Sequence, residues 1–193
     1  FTGDPAARRA VAAQIGRACE EIGFLSITGH GVAPELIEEL AAVSRRFFDL
    51  PVDEKMRAPV NTFGAGYVPI KAEALAASLG QKTPGDLKES FNVGRNFAAD
   101  PWPSALPELR DVCERYFTRL NALAADIMRM FALALELPEN YFDEKIVPPQ
   151  AFLRVINYPE QAEAPLPDQL RAGAHSDYGT LTILLSENKP GGL

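Results

Sequence analysis

The 193-residue chain is poor in the residues that most often announce chemistry: it has two cysteines, two histidines, three methionines and one tryptophan. Cys19 and Cys113 stand far apart and follow no CxxC or zinc-type spacing, which argues against a disulfide framework and against a cysteine-ligated metal. Positive charge is scarce as well. Nineteen Lys and Arg against 26 Asp and Glu give a net charge of -7, whereas phosphate backbones bind clustered cations that this chain does not show. No nucleic-acid partner is expected. Also missing is any apolar run of the roughly 20 residues that cross a bilayer, so no membrane partner is expected either. What remains, 47% apolar and 23% charged residues, is the composition of an ordinary globular protein. It suits a protein that acts on a small molecule in the cytoplasm, as a monomer or weak homodimer. Both ends read as cut, because the chain opens at Phe1 without Met and closes on PGGL directly after an apolar run.

Periodicity divides the chain into a helical first part and a later β part. Asp4 as N-cap and Pro5 at the first helical position start a helix that carries Val11, Ile15, Cys19 and Ile22 on one stripe and stops at Gly23. FLSIT at 24–28 then reads as a short strand. A second helix from Pro34 places Leu36, Leu40, Val43 and Phe47 on one face and ends before Pro51. Glycines and prolines break residues 51–106 into short pieces, of which KESFNVG at 88–94 reads as a strand. One long amphipathic pattern follows from Pro107 to about Glu136, a helix of about 45 Å at 1.5 Å per residue. Past Pro149 the period becomes two. In AFLRVINYP (151–159), Phe152, Arg154, Ile156 and Tyr158 share one face, while Leu153, Val155 and Asn157 share the other. TLTILL at 180–185 gives a second strand pattern. The fold class expected is α+β with an incomplete β part.

Between those two strand patterns lies RAGAHSDYG. In extended backbone, residues i and i+2 point the same way, so His175 and Asp177 deliver an imidazole nitrogen and a carboxylate oxygen to one point. Such a pair suits a divalent first-row metal, and a facial set of two His and one carboxylate leaves adjacent positions open for a cosubstrate and O2. The bland alternative is a polar turn capped by Asp177 before a strand.

The surrounding residues favour the metal. The series LRVINYP, RAGAHSDYGTLTILL and PGGL, together with EIGFLSITGHGV at 21–32 and DLKESFNVG at 86–94, resembles the Fe(II)/2-oxoglutarate-dependent dioxygenases of the isopenicillin N synthase-like family over nearly the whole chain. That resemblance implies a double-stranded β-helix, the cupin-like jelly roll, preceded by N-terminal helices and a long scaffold helix and truncated at the C-terminus. Residues 1–193 would form a single, incomplete oxygenase domain, with 1–150 mainly helical and 151–193 contributing the first core strands. His175 and Asp177 match two of the three iron ligands. The second His, and the Arg-x-Ser pair that holds the far carboxylate of 2-oxoglutarate, are expected beyond residue 193. Tyr158 matches a position whose phenol binds a cosubstrate carboxylate, with Arg154 beside it as a further cosubstrate contact or a structural ion pair. Tyr67 and Phe91 fall in segments that approach the substrate, or are plain core. The implied cofactors are Fe(II), 2-oxoglutarate and O2, with ascorbate as an accessory reductant. Because Asp177 is present, the implied reactions are hydroxylation, desaturation or ring closure of a small molecule. Two alternatives stay open: an oxidase that uses iron and O2 without 2-oxoglutarate, and a non-catalytic binding module on the same fold. His30, in TGHGV between two glycines, is expected to be structural, as is Asn157.

Overall fold

In the computed structural model, residues 3–186 are described. The order of elements is α1 (Pro5–Glu21), α2 (Pro34–Phe48), α3 (Val52–Lys55), β1 (Gly66–Val68), β2 (Glu89–Val93), α4 (Glu108–Ala134) and β3 (Leu153–Asn157), with 3-10 turns at Leu75–Leu79 and Asp143–Lys145. Helix and strand are mixed, and among the described residues no helix is long and apolar enough to cross a membrane.

Helix α1 starts as its sequence dictates: the Asp4 carboxylate accepts the Ala6 amide at 2.7 Å, and Pro5 occupies the first turn. Its buried stripe differs from the expected one. Ala12 and Ile15 are buried, whereas Val11 and Ile22 are 49% and 71% exposed and Cys19 is exposed. Small residues explain the shift, since a Cβ on Gly16 would come within 3.3 Å of the Ala134 Cβ. At so close an approach the Ala12 face meets α4, and the bulkier Val11 face is turned to solvent. Helix α2 buries the expected Leu40, Val43 and Phe47, with Leu36 packed at the edge of the same cluster. The long helix α4 spans 27 residues, about 40 Å, and both α1 and α2 lie against it.

The sheet has the order β1-β2-β3, antiparallel throughout. Its register places Tyr67 opposite Phe91, Phe91 opposite Val155, and Glu89 opposite Asn157, so these side chains share a face. That face meets the helices: Tyr67, Phe91 and Val93 join Leu40, Val43, Phe47, Leu109, Val112 and Tyr116 in the main core, with Leu153 and Val155 packed at its margin. Ring contacts knit it together, Phe47 lying 4.7 Å from Phe91 and 5.8 Å, edge-on, from Tyr67. Two of the three strands precede α4, so strands interleave with helices earlier than the sequence pattern suggested.

Two expected strands are not strands. FLSIT lies in irregular backbone, and residues 180–185 join no strand of the sheet among the described residues. The alternation in TLTILL keeps its physical meaning from Leu181 to Leu184, because Leu181 and Ile183 pack against the main core while Leu184 is 66% exposed; it ends at Leu185, which is 59% exposed although it shares their parity. An extended segment needs a neighbouring strand before its backbone groups can form a ladder. The PGGL turn lies outside the described residues.

Candidate metal centre

After β3 the chain leaves the sheet and runs back along the segment that precedes β2. Three contacts dock it there: the Leu87 amide donates to the Leu170 carbonyl at 2.9 Å, the Gln169 side-chain amide donates to the Gly85 carbonyl at 2.8 Å, and the Gly173 amide donates to Asp86 Oδ1 at 3.2 Å. Gly173 is required at its position, since a Cβ would lie 2.8 Å from the Ala76 nitrogen and 2.9 Å from the Ala76 Cβ. His175 and Asp177 follow at once, on backbone already tied to the fold.

Their side chains converge. His175 Nε2 lies 3.2 Å from Asp177 Oδ1. The other ring nitrogen, Nδ1, lies 2.8 Å from the Gly173 carbonyl; a carbonyl only accepts, so Nδ1 carries the proton. With Nδ1 protonated, Nε2 faces a carboxylate oxygen that only accepts, an arrangement satisfied either by a proton on Nε2 or by a metal ion held between the two. Thr182 Oγ1 donates to the second carboxylate oxygen at 2.8 Å, which leaves Oδ1 as the oxygen aimed at the imidazole. Two donors about 2.1 Å from one ion in neighbouring octahedral positions would be about 3.0 Å apart, close to the spacing observed. A His whose second N–H is anchored on a carbonyl, beside a hydrogen-bonded carboxylate, is the usual support for a metal ligand pair. The donor set therefore fits a divalent first-row metal such as Fe(II). Among the described residues no third His, Cys, Asp or Glu joins the pair.

The other anticipated residues divide. On β3 it is Leu153 and Val155 that face the helices, while Phe152, Ile156 and Tyr158 are 60%, 38% and 43% exposed; alternation fixes parity, and the apolar stripe of α4 decides which parity is inside. Tyr158 thus points away from the helical core. Burial and, after it, the nearby Asp86 charge push its phenol above the ordinary value, which keeps the hydroxyl a hydrogen-bond donor. Arg154 makes two contacts to Glu73, at 3.2 and 3.3 Å, and Lys88 binds the same carboxylate. Arg154 is therefore already an ion-pair partner. Tyr67 and Phe91 are 3% and 2% exposed and lie in the helix-facing core, so the plain-core alternative describes them. His30 is held in its loop, its Nδ1 accepting the Val32 amide at 3.2 Å and its carbonyl accepting from Arg119 at 3.0 Å.

Sequence reasoning missed a buried polar cluster beneath the sheet. Glu89, 6% exposed, accepts from Lys55 Nζ at 2.8 Å, from the Tyr67 hydroxyl at 2.5 Å and from the Asn157 amide at 2.8 Å. Burial first, and then the Glu89 carboxylate, push the Tyr67 phenol far above its ordinary value. Asn157 is structural, as expected. A glutamate on the inward parity of a strand was the available signal, because a charge is buried only with partners.

The structure thus shows a His-x-Asp pair on backbone tied to the fold, beside a small antiparallel sheet backed by a long helix. Comparison with known proteins carries this to a family. Residues 1–112 match the N-terminal family of non-haem dioxygenases described for morphine synthesis, and the chain belongs to that family. A 2-oxoglutarate-Fe(II) type oxidoreductase of Emericella nidulans is 31% identical across 97% of this chain and 58% of its own length. For a 2-oxoglutarate-dependent dioxygenase of Aspergillus niger the values are 33%, 98% and 61%. Among solved structures, a full-length Neurospora crassa protein in complex with alpha-KG superposes with a TM-score of 0.80 at 28% identity, covering 92% of this chain and 58% of that one. The chain spans about three fifths of the length of these relatives.

Proposed function

We propose that this chain is the helical and early-core part of a non-haem Fe(II) oxygenase that couples oxidative decarboxylation of 2-oxoglutarate to hydroxylation, desaturation or ring closure of a small molecule. The observation that carries it is the 3.2 Å pairing of His175 Nε2 with Asp177 Oδ1, with the remaining ring nitrogen and carboxylate oxygen both tied back to the protein. The three-stranded sheet is then the first portion of a double-stranded β-helix within one oxygenase domain, a reading supported by the likeness to the Neurospora crassa structure.

When bound, Fe(II) supplies reduction of O2 coupled to loss of CO2 from 2-oxoglutarate and oxidation of a substrate C–H bond. The residues of this chain would perform simpler tasks. His175 and Asp177 contribute one nitrogen and one oxygen to the ion. Gly173 and Thr182 orient them. Tyr158, a donor on the sheet face away from the helices, would hold a carboxylate of the cosubstrate. Arg154, already engaged with Glu73, would set the charge of that face and not itself chelate the cosubstrate.

The test is succinate release by the complete protein supplied with Fe(II), ascorbate and 2-oxoglutarate. His175→Ala should lower it by at least about 100-fold, in keeping with loss of a metal ligand; equal turnover by both proteins would sink the assignment. Substrate oxidation that persists without 2-oxoglutarate would move the protein to the oxidase alternative.

A further inference from the structure

Asp86 is a buried acid with no place in the reaction just described. It is 1% exposed, and no cation is needed to account for its contacts: Oδ2 accepts the Leu75 amide at 3.0 Å, and Oδ1 accepts the Gly173 amide at 3.2 Å. Its backbone is fixed as well, the amide donating to the Glu73 carbonyl at 2.7 Å and the carbonyl accepting the Lys71 amide at 3.0 Å. The Gly173 peptide is thus held at its nitrogen by Asp86, while the Gly173 carbonyl holds His175 Nδ1 at 2.8 Å. Asp86, Gly173 and His175 form one series of hydrogen bonds that begins in the core and ends at Nδ1, the ring nitrogen of His175 that faces away from the proposed metal.

We propose that Asp86 is a positioning residue for the metal seat: by gripping the Gly173 amide it aims the neighbouring carbonyl at His175 Nδ1, and so fixes the tautomer and direction in which Nε2 faces Asp177. The proposal rests on the metal reading given above. Charge makes the link selective. A carboxylate accepts both amides at once, whereas the amide of Asn would turn an N–H toward one of two N–H donors and lose that contact. Supports of this kind behind a ligating His typically change metal affinity by about 10–100-fold. The strand-to-loop tether from Leu87 to Leu170 lies one residue away on the same segment, so the backbone path survives when the carboxylate is altered.

The experiment is anaerobic Co(II) titration of the complete protein, followed by visible absorption, in the wild type, His175→Ala, Asp86→Asn and Asp86→Glu. Apo-protein melting is recorded for each. The expected result is Co(II) binding that disappears in His175→Ala, with affinity at least about 10-fold weaker and an altered d–d spectrum in whichever Asp86 variant folds. A purely structural Asp86 would lower the apo melting temperature and leave the affinity and spectrum of the folded protein unchanged, and that outcome overturns the proposal. Wild-type protein without His175-dependent Co(II) binding sinks the metal reading, and this inference with it; normal wild-type binding with unchanged affinity in a folded Asp86 variant sinks this inference alone. Should neither variant fold, nitrogen-15 NMR of the wild-type apo-protein decides. A His175 ring protonated on Nδ1 at neutral pH supports the chain of bonds, and one protonated only on Nε2 refutes it.

Discussion

The helix-facing core and the His-x-Asp segment are held by different forces. In the core, Phe47, Tyr67, Phe91 and Leu109 are all at most 3% exposed, and even the buried Glu89 has three partners. Around the proposed metal pair the side chains of His175 and Asp177 are 33% and 55% exposed, and Tyr178 is 96% exposed. Here position comes from a few hydrogen bonds of defined direction and not from close packing. Apolar burial stabilises without direction, which suits a scaffold; a ligand set needs orientation, which hydrogen bonds supply. Stability and site geometry are therefore expected to be separable in this protein.

The largest effect expected is on the core side of that division. Phe91→Ala removes a ring packed between Phe47 and Trp102, whose centroids lie 4.7 and 5.7 Å away, and should cost about 3–5 kcal/mol in urea unfolding of the complete protein. In the fraction that remains folded, Co(II) affinity should stay within about twofold, because coupling between residues without shared partners is small. A matching drop in affinity would show that the core does set the seat, and the division would fail.

A smaller effect, on the other side, comes from Gly173→Ala. The added methyl meets the backbone nitrogen and the Cβ of Ala76 at 2.8 and 2.9 Å, and neither is the end of a flexible chain. One segment must move. The expected destabilisation is about 1–3 kcal/mol, less than that of Phe91→Ala, yet metal affinity should fall more because Gly173 carries both the amide held by Asp86 and the carbonyl that holds His175. Preserved affinity in the folded variant would mean that the seat tolerates displacement of its own support.

How much of this was visible beforehand follows the same division. Helices α2 and α4 were legible because a period of 3.6 survives in a one-sided apolar stripe, and β2 and β3 because alternation survives in a two-sided strand. Two things were not legible. Parity in β3 could not say which face is inside, since that depends on where α4 lies. Small residues on α1 could not announce that Ala12 and Gly16, and not Val11, meet a neighbouring helix. For the candidate site, the convergence of His175 and Asp177 could be anticipated because their spacing is local, whereas Asp86 and Glu89 have partners 87 and 68 residues away in sequence, which no local pattern records. FLSIT and TLTILL show the converse: strand-like composition yields a ladder only where a second strand is at hand.

The smallest expected effect concerns charge on the sheet face away from the helices. Burial alone would raise the Glu73 carboxyl, but its hydrogen bond to Lys88 and the charges of Arg154 and Lys88 outweigh burial and hold it below its ordinary value of 4.5. A folded-state value lower than the unfolded one means that the stabilisation is present above about pH 4.5 and is lost as pH falls through the depressed value. Arg154→Gln removes one of the two cations and should destabilise by less than about 1 kcal/mol at pH 7, since the pair is partly open to solvent. The gap between wild type and variant should begin to close below pH 4.5 and vanish once the pH has fallen through the depressed value, where folded Glu73 becomes neutral and Arg154 has no opposite charge to hold. A gap that instead widens in acid would mean that Arg154 stabilises the fold through its packing, and the difference between a packed core and a polar outer face would then be one of degree.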